Sequence, residues 1–238
     1  MTNKSWYRFA IALLLSLVLL LVGLRTLQAP LPSSAHPEQT AFAPGDVVIN
    51  EVAWMGTAAD NGSWDEWLEL YNTTTSTIVL DGWTISFADG SPVTITLQGS
   101  IGPHAYYLLE RADKAVSDIP ADMVYGGSQM NNSSETIFLR DPVGTTIDTA
   151  NSNGGGWPAG TASPHYYTME RIDPLAPDTD ANWEDNDGVI RNGLDANGDP
   201  LNGTPRCRNS AASPLADLTV GLTGPATLDP GAEFSYVL

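Results

Sequence analysis

From Val47 onward, apolar residues recur at every second position in short stretches, not at the wider spacing of a helix. Trp83, Ile85 and Phe87 alternate with Thr84 and Ser86, and Val93, Ile95 and Leu97 alternate with Thr94 and Thr96. Leu68 and Leu70 alternate with Trp67, Glu69 and Tyr71, and Ile137 and Leu139 sit between Thr136, Phe138 and Arg140. Side chains two apart share a face of a strand, so each stretch predicts a strand with one apolar face. Asp81-Gly82, Asp89-Gly90, Gly102-Pro103 and Asp141-Pro142 with Gly144 mark the turns between them. Many short strands at close spacing predict an all-β sandwich or barrel, of which the sandwich is favoured. No repeated unit points to a propeller or solenoid.

One segment breaks this pattern. Lys4 and Arg8 precede an apolar run from Phe9 to Leu24, in which only Ser16 and Gly23 interrupt the apolar character. A charged start followed by an apolar stretch is the layout of a secretory signal. As a helix at about 1.5 Å per residue the run spans about 24 Å, short of a hydrocarbon core of about 30 Å. Residues 1–29 are therefore expected to be a signal peptide or an N-terminal anchor helix. Small residues at Ala29 and at Ser33 to Ala35 favour cleavage, with the mature chain starting between residues 30 and 36; Arg25 keeps an uncleaved anchor open. Either outcome places the remainder outside the cytoplasm, secreted or at the cell surface. Residues 30–45, rich in Pro, Ser and Ala, read as a tether.

Composition agrees with a folded body. Hydrophobic residues make up 42% of the 238, enough for a core, and 22 Gly with 17 Pro suit a fold of many turns. The formal charge of -18 understates the acidity, because Lys4, Arg8 and Arg25 all lie before the first acid, Glu38. The body beyond the tether holds seven basic residues against 27 acidic ones. Such a surface repels nucleic-acid phosphates and anionic lipid, so this domain is not expected to bind nucleic acid, and any membrane contact is expected only through an uncleaved N-terminus. Cys207 is the single cysteine, which excludes an internal disulfide and a multi-cysteine metal site.

The residues that carry the usual chemistry are sparse. His36, His104 and His165 fall in no zinc-hydrolase spacing, and no nucleophile elbow, phosphate loop or dinucleotide motif occurs. Glu51, Glu66 and Glu69 invite an acid/base reading, as in a glycosidase pair. Trp54, Trp64, Trp67 and Trp83 invite a sugar-stacking surface, set against aromatic residues as ordinary core. The sequons at Asn61, Asn72, Asn131, Asn132 and Asn202 read as turn residues. In the acidic segment from Asp173 to Leu201, oxygen-bearing residues alternate: Asp178, Asp180, Asn182 and Glu184, then Asp185 and Asp187, then Asp195, Asn197 and Asp199. Alternating oxygens are how calcium loops gather donors, so Asp195, Asn197 and Asp199 are the candidate Ca2+ ligands, with turn formation as the competing reading. The stretch is not an EF-hand, since Pro200 stands where the sharp turn wants Gly.

The order of short motifs carries a resemblance. Val47-Val48-Ile49-Asn50-Glu51-Val52, then Asp65-Glu66-Trp67-Leu68-Glu69-Leu70-Tyr71-Asn72, then Leu80-Asp81-Gly82-Trp83 resemble the opening of the lamin tail domain family. Gly102-Pro103, Ile137-Phe138-Leu139, Asn182-Trp183 and the closing Gly203-Thr204-Pro205 with Asn209 continue it, over residues 46–209. The resemblance implies an immunoglobulin-like β-sandwich used for binding or structure, of the kind found on exported bacterial proteins, and it implies that Glu51, Glu66 and Glu69 stand at strand starts and edges, bonding backbone N–H groups. Residues 210–238 resemble a linker and the first two strands of an immunoglobulin-like surface repeat, a second domain cut short. The expected function is a non-enzymatic structural or interaction module of a bacterial cell-surface or secreted protein, with a protein or cell-envelope component as partner. The alternative is an accessory domain of a secreted hydrolase, a nuclease, whose catalytic part lies outside this chain.

Overall fold

Three antiparallel strands make the centre of the fold: β1 (Val47–Ala53) lies between β2 (Trp67–Asn72) and β11 (Met169–Arg171). This is seen in a computed structural model that describes residues 42–212. The signal or anchor helix, most of the tether and the second-domain start beyond residue 212 lie outside the described residues. Around the central strands, β7 (Tyr106–Glu110), β8 (Met123–Val124) and β12 (Trp183–Asp185) complete a six-stranded sheet in the order β12-β11-β1-β2-β7-β8. Only the β7–β8 pair is parallel. A second sheet has the order β10-β9-β4-β5, from β4 (Thr84–Phe87), β5 (Ile95–Thr96), β9 (Ile137–Arg140) and β10 (Thr146–Ala150). The short strands β3 (Ile78–Val79) and β6 (Ser100–Ile101) pair with each other. Among the described residues the only helical pieces are two 3-10 turns, Gly62–Trp64 and Asp180–Asn182.

One core lies between the two sheets. It takes Ile49, Val52, Leu68, Leu70, Leu109 and Met169 from the first, and Ile85, Phe87, Ile137, Leu139 and Ile147 from the second. Burying each aliphatic side chain of this size contributes roughly 1.5–3 kcal/mol before chain entropy is counted. The result is an all-β immunoglobulin-like sandwich.

Two expectations from periodicity need correction. Val93 was expected to share the buried face of Ile95 and Leu97, but it is 72% exposed, because β5 begins only at Ile95. In β2 the alternation is real but does not separate core from solvent. Leu68 and Leu70 face the core, and Trp67 and Glu69 on the opposite face are buried as well. Something covers the outer face of the central sheet.

Candidate functional site

The cover begins with a β-bulge. Ile49 pairs with Leu70 and Glu51 with Glu69, so Asn50 is an extra residue in β1. Simple alternation through Val47 and Ile49 would point Glu51 into the core. The extra residue resets the phase, turning Glu51 outward while Val52 returns inward beside Leu68. On its other side Glu51 pairs with Glu170 of β11. Glu170, Glu51 and Glu69 thus stand in one row across three neighbouring strands, and each is 0% exposed. The sequence expectation put Glu51 and Glu69 at strand starts or edges. They sit instead at the centre of the sheet.

The segment from Gly203 to Ala211 lies over the row and fills its hydrogen bonds. Glu51 Oε1 accepts from Thr168 Oγ1 at 2.5 Å and from the Thr204 N–H at 2.8 Å. Glu170 Oε2 accepts from Ser210 Oγ at 2.6 Å and from the Ala211 N–H at 2.9 Å, while its Oε1 accepts from Asn186 Nδ2 at 2.7 Å. Glu69 accepts from the Arg206 N–H at 2.5 Å and from Asn50 Nδ2 at 3.3 Å. Asn209 closes the end: its Nδ2 donates to the carbonyls of Asn50 and Arg171, and its Oδ1 accepts from Asn50 Nδ2. Gly203 makes the closest approach. A Cβ there would stand 2.8 Å from Glu51 Oε1 and 2.9 Å from Trp67 Cζ2.

Among the described residues no cationic side chain donates to the row, and the Arg206 charge acts on Glu69 only from a distance. The Arg206 guanidinium turns away to Asp122, at 2.7 Å. Burial, followed by the nearby Glu170 and Glu69 charges, raises the Glu51 carboxyl well above the usual carboxylate range. Burial likewise pushes Glu69 up to about 8, against the opposing hydrogen bond from the Arg206 N–H.

Other carboxylates are also taken up by the domain's own donors. Both oxygens of Glu66, just before β2, accept from the Met130 N–H at 3.1 Å, and burial raises this group to about 7. Asp178 takes Thr149 Oγ1, the N–H groups of Asn151 and Ser152, and Trp183 Nε1. The acid/base candidates Glu51, Glu66 and Glu69 are therefore buried structural acceptors. Two surface clefts lie elsewhere, one of about 460 Å³ along Asp46, Thr73, Asp148 and Pro174 and one of about 200 Å³ between Val93 and Val124.

The four tryptophans do not form one surface. Trp67 and Trp83 are buried, and Trp54 stacks on Trp157 at 5.8 Å while donating to the Ala159 carbonyl. Trp64 is 58% exposed, with the Arg111 guanidinium 4.2 Å from its ring centroid.

In the calcium candidate, the Asp195 carboxylate closes its own turn. Its Oδ1 accepts from the N–H groups of Asn197, at 2.9 Å, and Asp199, at 3.0 Å, inside a loop that bridges Leu194 to Pro200. Asn197 and Asp199 are exposed. The earlier alternating acids do not converge on this loop: Asp180 accepts from Asn153, Asp185 from the Gly160 N–H, and Asp187 from the N–H groups of Val189 and Ile190. Among the described residues no group of three or more His, Cys, Asp or Glu stands close enough to hold a metal.

Glu170, Thr204 and Ser210 were missed in the sequence reading. Thr204 lay inside the closing Gly203-Thr204-Pro205 motif, but nothing there tied it to Glu51, 153 residues away.

Residues 40–154 match the family model of the Lamin Tail Domain, just under half of the chain. No curated protein matches it. The lamin tail domain is a non-catalytic immunoglobulin-like module. The match contains Glu51 and Glu69 but stops before β11, although β11 is the direct neighbour of β1. The row of glutamates therefore joins the matched segment to the chain beyond it.

Proposed function

We propose that this chain is a non-enzymatic structural or interaction module of an exported protein, a lamin-tail-type sandwich of the bacterial exported type. The observation that carries this reading is the state of its buried carboxyls. The acidic side chains that could do acid/base work are enclosed, with oxygens taken by the domain's own N–H and O–H donors. Such groups hold a scaffold together and leave it to act through its surface.

The partner is a protein or cell-envelope component, met by a body of seven basic against 27 acidic residues, with nucleic acid disfavoured. The apolar run from Phe9 to Leu24 supports export, and residues 210–238 read as the opening of a second immunoglobulin-like domain. A fusion of residues 1–45 to alkaline phosphatase tests export, because that enzyme is active only outside the cytoplasm. An active reporter in the envelope or medium is expected, and an inactive cytoplasmic one overturns the localisation. Duplex DNA retained by the purified domain at low salt overturns the exclusion of nucleic acid.

Calcium at Asp195, Asn197 and Asp199 belongs to the same proposal. The exposed oxygens of Asn197 and Asp199 flank a turn whose backbone Asp195 already orders. Thermal unfolding is then expected to rise with millimolar calcium but not with sodium of equal ionic strength. A midpoint indifferent to calcium and EDTA returns the loop to an ordinary turn.

A further inference from the structure

The Thr204 hydroxyl faces three oxygens at once. Its Oγ1 lies 3.0 Å from Glu51 Oε2, 2.9 Å from Glu170 Oε1 and 3.4 Å from Asn209 Oδ1. A hydroxyl carries one proton and can donate it once. Asn209 cannot turn its amide to help, because its Nδ2 is held by the carbonyls of Asn50 and Arg171. If both glutamates were ionised, at least one carboxylate oxygen would face Oγ1 with no proton between them, inside a fully buried site. A carboxyl proton donated into Oγ1 resolves this: one glutamate gives to the hydroxyl, and the hydroxyl gives to the other.

We propose that a carboxyl proton on Glu51 is donated into the Thr204 hydroxyl, which in turn donates to Glu170, and that this proton keeps the segment Gly203–Ala211 strapped over the outer face of the central sheet. When it leaves at alkaline pH, the strap lets go while the sandwich stays folded.

Local release follows from how the strap is held. Pro205 is the strap's one buried apolar side chain, and its other anchors are hydrogen bonds, so its hold is mainly polar. Three of its attachment points, at Thr204, Arg206 and Ser210, end on the three glutamates of the row. Segments held this way open at lower free energy than the core. Among the groups around the row, the Arg206 charge offsets burial at Glu69 only in part, with Asp122 beside it acting the other way. Glu184 pairs with Glu170 from β12. Tyr106 of β7, Tyr71 of β2 and Cys207 of the strap are neutral when protonated, and Arg206 is paired with Asp122. Burial of Glu51 and Glu69, and the repulsion between Glu51 and its neighbours, act in the same direction as the proton count.

Cys207, exposed and the only cysteine, gives a direct reading of the strap. A nitroxide attached to it in the full chain is followed by electron paramagnetic resonance from about pH 6 to about pH 10, with tryptophan fluorescence reporting the core in parallel. The label is expected to become mobile with rising pH while Trp67 and Trp83 stay buried. Glu51→Gln places an amide N–H where the proposed carboxyl proton sits, so its label should stay immobile to higher pH. If that variant fails to fold, the infrared spectrum of the unmodified protein decides. In the unmodified protein, infrared spectra should show a protonated-carboxyl C=O stretch at neutral pH that fades as the label loosens. A label indifferent to pH, a core that unfolds together with the label, an unchanged transition in a folded Gln variant, or the absence of that stretch would each overturn the proposal.

Discussion

Arg171 and Asp148 tie the two sheets to each other: Nη2 of the arginine on β11 donates to Oδ2 of the aspartate on β10 at 2.6 Å, within the buried interior. The same aspartate oxygen accepts the Ile49 N–H just before the bulge, and Arg171 Nε donates to the Ile49 carbonyl. The guanidinium also lies 4.7 Å from the centroid of the Trp183 ring. Burial raises Asp148 to about 6 even beside this cation.

Removing one partner of a buried pair leaves the other charge unmatched, so Arg171→Ala is expected to lose about 3–5 kcal/mol of stability in urea unfolding. Arg171→Lys should recover only part of it, because lysine keeps the charge but not the planar fork that reaches Ile49, Thr149 and Asp148 together. A loss below about 1 kcal/mol for the alanine variant would show that the pair does not hold the sheets.

Stability should fall as pH rises from mildly acid to mildly alkaline. Burial holds Glu66 and Glu110 up to about 7 and Glu69 up to about 8, while unfolded glutamates titrate near about 4.3. Between those limits the folded chain binds more protons than the unfolded one, so each unit of pH removes stability, and the full benefit is present only at the acid end. Calorimetry should give a lower melting temperature at about pH 8.5 than at about pH 5.5. Glu69→Gln should shrink that difference; a midpoint that instead climbs with pH contradicts the raised carboxyls.

Gly203→Ala should destabilise by about 1–3 kcal/mol, as overpacking does. The new methyl would meet Glu51 Oε1, Thr168 Cγ2 and Trp67 Cζ2, all under 3.0 Å. Gly99→Ala is the control for backbone effects: its φ of 83° disfavours a side chain, but nothing lies within 4 Å. If the two variants unfold alike, the cover over the glutamate row is looser than its geometry indicates.

Val93→Ala should change stability by no more than about 0.5 kcal/mol, whereas Ile85→Ala should cost about 2–5 kcal/mol. The two valued positions looked equivalent in the alternating pattern, but Ile85 is buried in β4 and Val93 is exposed before β5. Equal losses in denaturant titrations would put Val93 back in the core.

What the sequence determined by itself was local. Period-two alternation at Trp83 to Phe87 and at Ile137 to Leu139 identified strands, because side-chain direction depends only on a residue's own neighbours in the chain. The turn residues separated those strands for the same reason, and the ordered motifs carried the lamin-tail resemblance that the family match over residues 40–154 supports. The row of glutamates was decided by tertiary structure alone. One inserted residue, Asn50, turned Glu51 from the core face to the covered face, and no pattern read at period two anticipates a phase change. Glu51 and Glu170 became neighbours only through strand pairing, and Thr204 reached them only when the chain returned over the sheet. A carboxylate's character follows from whether water or another carboxylate stands beside it, and that is a property of distance in space, not of separation along the chain.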